Sequence, residues 1–111
     1  MVKTVGLVEP LRVALTPHAS KIPAAFVYGS AAAGGDRATS DIDVMVISDK
    51  LAYADVYDAL QPAEQILARP VNPTVVTTDE WRKKRARSGS FVARLAVGPK
   101  LFVLGGDNDI P

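Results

Sequence analysis

The apolar positions of this chain change their period several times. Val5, Val8, Leu11, Val13 and Leu15 fall near the spacing of one helical face. Pro10 interrupts that run. A proline suits a first turn, so the spacing predicts a helix starting near Glu9 within an N-terminal helical segment, residues 1–20. Residues 25–28, "AFVY", read as a short buried strand stopped by Gly29. Residues 42–47, "IDVMVI", read as a second strand. Over residues 53–67, Val56, Leu60 and Ile66 return to helical spacing, with Pro62 as a kink or break. Residues 71–77, "VNPTVVT", form a β-branched strand weakened by Pro73.

The remaining third follows the same alternation. "TTDE" at 77–80 is a capping box, in which Thr77 caps the helix start and Glu80 reaches back to it. A basic helix from Trp81 to about Arg87 should follow, punctuated by "SGS" at 88–90. Phe91 to Val97 reads as another short helix closed by Gly98. "KLFVLGG" at 100–106 is a final strand, and residues 106–111 are expected to be a loose tail. Strands interleaved with helices give an α/β or α+β class.

Composition narrows the chemistry. A chain of 111 residues that is 48% hydrophobic fits a single domain, 1–111, with one core. It has no cysteine, which excludes disulfides and thiolate metal sites, and a single histidine, which leaves little room for a His-based zinc site. The net charge of +1 marks no global attraction to nucleic acid or membrane. No apolar run has the roughly 20 residues of a membrane span, and no signal peptide is visible, so the cytoplasm is the expected location.

The chemistry concentrates in residues 28–44, "YGSAAAGGDRATSDIDV". In a strand, Asp41 and Asp43 point to one face while Ile42, Val44 and Val46 point to the other. Two such charges about 5 Å apart repel by roughly 3 kcal/mol at an effective dielectric of about 20. A divalent cation removes that penalty, and all-oxygen ligands favour Mg²⁺. Gly29 permits a tight bend directly after the first strand. Ser30 offers a hydroxyl, and "SAAAG" can begin a helical turn whose free N–H groups attract phosphate. Arg37, in the connector, is placed either to meet a phosphate tail or to sit solvated in a loop. A phosphate cradle facing metal carboxylates is equipment for phosphoryl chemistry. An isolated Asp-x-Asp or Gly-Ser would mark only a strand end or a turn; the two together, at this spacing, are far more specific.

Gly29-Ser30, ten residues, then Asp41-Ile42-Asp43 resembles the signature of the DNA polymerase β-like nucleotidyltransferase superfamily, and the small size resembles its minimal branch. Residues 3–15, 69–81 and 98–105 are similar to segments of such domains joined to a winged-helix DNA-binding domain. The resemblance implies a mixed sheet of about four strands with helices mainly on one face. It implies that Gly29 and Ser30 hold the phosphates of ATP and that Asp41 and Asp43 bind two Mg²⁺ ions. It also implies transfer of a nucleoside monophosphate, usually AMP, to a hydroxyl acceptor. Relatives of the minimal type often act as antitoxins on a helical toxin partner.

One family feature is missing. Active members usually supply a third carboxylate from a later strand, and here the matching stretch offers only Asn72 or Thr74. Neither serves as a general base near neutral pH. Two further readings therefore stay open: a catalytically weak nucleotide-binding regulatory module associated with a DNA-binding domain, and a plain interaction domain. "WRKKRAR" at 81–87, five of seven residues basic with Trp81 as a stacking surface, fits nucleic acid, an acidic partner or a solvated helix.

Overall fold

The computed structural model describes residues 3–29 and 41–111. Strands β1 (Ala24–Tyr28), β2 (Ile42–Ile47), β3 (Val71–Val76) and β4 (Leu101–Leu104) form one sheet in the order β3-β2-β1-β4. β1 runs antiparallel to β2 and to β4, whereas β2 and β3 are parallel. The sheet is therefore mixed, and the fold is α+β.

All five residues of β1 are buried, which requires cover on both faces. On one face Ala25, Val27, Val44 and Val46 pack under the two longer helices, α1 (Lys3–Leu15) and α2 (Tyr53–Leu67), through Leu11, Leu15, Val56 and Leu60. On the other face Phe26, Met45 and Ile47 meet the two shorter helices, α3 (Thr78–Ala86) and α4 (Phe91–Val97), through Trp81 and Val92. The main cover is on one face, as expected, with a smaller layer opposite.

Local chemistry fixes the joints between these elements. Ser48, buried at the end of β2, donates to the Lys21 carbonyl at 2.7 Å and accepts from the N–H groups of Lys50 and Leu51. The predicted capping box is formed: Thr77 Oγ1 accepts from Glu80 N at 3.0 Å, and Glu80 accepts from Thr77 N at 2.9 Å. Asp49 ties the start of α3 to the end of β2 by accepting from both the N–H and the hydroxyl of Thr78.

The structure corrects four expectations. α1 begins at Lys3, so Pro10 lies inside it, and Pro62 lies inside a continuous α2. In each helix the buried face runs unbroken past the proline, from Leu7 to Leu15 and from Val56 to Ala63. That packing outweighs the cost of an interior proline, on the order of 3 kcal/mol. Val13 and Ile66 are not on the buried stripes; they are 65% and 69% exposed, and Ala63 takes the buried place in the last part of α2. The C-terminal residues are not loose. Asp109 closes a short 3₁₀ turn through bonds to and from Gly106, Ile110 packs against Trp81's cluster, and Arg85 donates to the Pro111 carbonyl at 2.9 Å. Among the described residues no helix is long and apolar enough to cross a membrane.

Candidate functional site

The site lies where β1 ends and β2 and β3 begin. The apolar residues of β2, Ile42, Val44 and Val46, pack into the core under α1 and α2. Alternation then sends Asp43 to the opposite face, with Met45 and Ile47. Register places Asp43 between Tyr28 on β1 and Asn72 on β3. Asp41, one residue before β2, is exposed, and its Oδ2 accepts a 2.9 Å hydrogen bond from Asn72 Nδ2. The structure thus brings Asp41, Asp43 and Asn72 together.

Gly29 follows Tyr28 with φ of +78°, a conformation that L side chains rarely adopt. A Cβ there would lie 3.3 Å from Asp43 Oδ2. The glycine therefore serves twice: it allows the bend and leaves the Asp43 carboxylate room. Ser30, Arg37 and the expected helical turn of "SAAAG" lie outside the described residues.

The two carboxylates act on each other electrostatically. Partial burial pushes the Asp43 carboxyl above its ordinary range, and the charge of Asp41 adds to the shift. Among the described residues neither acid pairs with a cationic side chain, and no group of three His, Cys, Asp or Glu is arranged to hold a metal ion. Asp41 and Asp43 offer carboxylate oxygens, hard donors of a kind that fits Mg²⁺, while Asn72 turns its amide N–H toward Asp41.

The register also settles which residue stands beside the acid pair on β3. Asn72 is opposite Asp43, whereas Thr74 is opposite Met45, one step deeper. Tyr28 Oη lies 3.4 Å from Thr74 Oγ1. The Tyr28 side chain therefore reaches from β1 across β2 toward β3 and closes the inner side of the acid site. From sequence, Tyr28 stands just before the turn and is favoured as a half-buried strand residue over a functional one; its position two before Ser30 is the signal that points to the site.

Two further aromatic residues change roles. Trp81 is fully buried, edge-on to Phe26 at 5.9 Å, so it offers no surface on which a base could stack. Its Nε1 has no hydrogen-bond partner among the described residues. Phe91, which sequence reading treated only as a helix start, is 49% exposed and sets its ring edge-on against Tyr28 at 5.7 Å.

A mixed four-stranded sheet that presents an Asp-x-Asp pair beside a glycine turn defines a nucleotidyltransferase-like domain. The sequence profile of the family described as "Polymerase beta, Nucleotidyltransferase" matches residues 13–80. That match covers more than half of the chain, and the chain belongs to this family. It runs from the end of α1 to the first turn of α3 and so contains every residue of the acid site. A search of curated proteins returns no match.

Proposed function

We propose that Asp41, Asp43 and the Gly29 turn bind the triphosphate of a nucleoside triphosphate, ATP foremost, together with Mg²⁺. The observation that carries this is the acid pair itself. Two carboxylates share one site, one is held above its ordinary range by burial and by its neighbour, and a glycine stands where a side chain would crowd the Asp43 carboxylate. Asp41 and Asp43 are the residues that would hold the cation. Bound Mg²⁺ would neutralise the phosphate oxygens and stabilise charge on the departing pyrophosphate.

The chemistry is transfer of a nucleoside monophosphate. An acceptor hydroxyl forms a new bond to the α-phosphorus, the bond from that phosphorus to the β-bridging oxygen breaks, and pyrophosphate leaves. The hydroxyl proton passes to solvent or to a base that the acceptor brings, because Asn72 takes none. A positioned general base contributes on the order of 10²–10⁴-fold in rate, so the chain should bind nucleotide well and transfer AMP slowly. Asn72 favours a second reading on the same site, a nucleotide-binding regulatory module with negligible turnover. The acceptor under the first reading is a macromolecular hydroxyl, for which the resemblance to minimal nucleotidyltransferases points to a toxin-like protein partner.

The test is incubation of the chain with Mg²⁺ and ATP labelled on the α-phosphate, with and without a co-expressed partner. Slow labelling that Asn72→Asp accelerates supports transfer. Binding without label in both chains selects the regulatory reading.

A further inference from the structure

We infer that Phe91 is the platform on which the nucleobase stacks; this rests on the proposed nucleotide site and specifies it further. The ring of Phe91 lies against Tyr28, and Tyr28 is the direct strand partner of Asp43. Phe91 therefore stands one side chain away from the acid pair, on the same face of the sheet. Tyr28 itself is buried and engaged at both ends, with Phe91 and Phe26 against its ring and Thr74 at its hydroxyl. It can wall the site but offers no free ring face.

Phe91 differs in just that respect. Its contact with Tyr28 is edge to face, with the ring planes 74° apart, and half of its surface remains open to solvent. A large apolar ring held firm at the rim of a polar site is what a flat π-system requires. A nucleoside triphosphate has the matching layout: its phosphates reach the acid pair, and one ribose separates them from a flat aromatic base. Exposed aromatics elsewhere lack this placement. Tyr53 and Tyr57 stack on each other at 5.9 Å along α2, and α2 covers the opposite face of the sheet.

Phe91 also sits where a rigid support is available. Ser90 Oγ accepts from Ala93 N at 3.0 Å and fixes the start of α4. Val92, the next residue, is buried against the sheet and anchors the backbone. A ring carried by so anchored a backbone loses little further freedom when a base settles on it. Stacking of this kind is tolerant of base identity, because every base has a π-face. The site is accordingly expected to accept purine and pyrimidine triphosphates alike, with only a modest advantage to purines from their larger ring surface.

The test separates the base from the phosphates. Binding of ATP and of inorganic tripolyphosphate, each with Mg²⁺, is measured by calorimetry for the parent chain, Phe91→Ala and Phe91→Trp. The expected result is that Phe91→Ala weakens ATP roughly tenfold to a hundredfold, leaves tripolyphosphate unchanged, and that Phe91→Trp retains ATP. Equal ATP affinity in the parent and Phe91→Ala overturns the inference while leaving the phosphate site intact. Parallel loss of both ligands in Phe91→Ala, or loss of ATP in Phe91→Trp as well, makes the ring structural and also overturns it. Failure of the parent to bind either ligand removes the proposed nucleotide site itself.

Discussion

Under the proposed function, Asp43 is the residue at which stability and metal binding oppose each other. Its carboxyl titrates above the ordinary range in the fold, so folding disfavours its ionised form. That cost is absent below the ordinary carboxylate range, where Asp43 is protonated folded or unfolded. It is present in full above the raised folded value, hence at neutral pH. Without metal, Asp43→Asn should therefore melt higher than the parent at neutral pH, and the gap should close as pH falls through the acid range. Thermal denaturation across pH checks this; a parent that melts higher at neutral pH contradicts it. Asn72 carries the converse expectation. Its amide donates to Asp41, and Asn72→Asp replaces that donor with a third negative charge. Metal-free stability should fall by about 1 kcal/mol, and Mg²⁺ should restore more than it does in the parent. The acid pair itself was legible in sequence because period-two alternation needs only neighbouring residues. The choice between Asn72 and Thr74 was not, because it depends on register between parallel strands joined through a whole helix.

At the scale of elements, the sequence announced strands and helices well where periodicity was strong and failed where proline was read by its local cost alone. Pro10 and Pro62 are each outweighed by a stripe of buried residues that only the tertiary packing reveals. Pro73 was tolerated for a different reason: β3 is an edge strand, where a missing N–H need not break a ladder. The α3 capping box was legible because Thr77 and Glu80 are three residues apart. Thr77→Ala should cost about 1 kcal/mol in chemical denaturation. The end of β4 holds a more severe constraint. Gly105 has φ of +72°, and a Cβ there would come within 2.4 Å of the Pro23 carbonyl oxygen. Because the obstacle is backbone, Gly105→Ala should cost at least about 2 kcal/mol, more than the left-handed conformation alone demands. A loss below that of Thr77→Ala would show that the chain relieves the contact by shifting β4.

For the whole molecule, the sheet divides the labour. The face under α1 and α2 is apolar throughout and supplies most of the core, while the opposite face carries the acids at one end and the aromatic residues beside them. Ligand binding to that end should be read by the entire fold. Mg²⁺ with ATP at about 100 times the dissociation constant adds roughly 2.7 kcal/mol, which corresponds to a rise of roughly 10 °C in melting temperature for a domain of this size. ATP without a divalent cation should produce little of that rise. The most direct test is calorimetric titration of ATP into the parent and into Asp43→Asn, each with Mg²⁺ and with chelator. Binding by the parent that requires Mg²⁺ and is lost in Asp43→Asn is the predicted result. Equal binding by both proteins, or binding indifferent to Mg²⁺, would contradict an acid pair built to hold a metal-bound nucleotide.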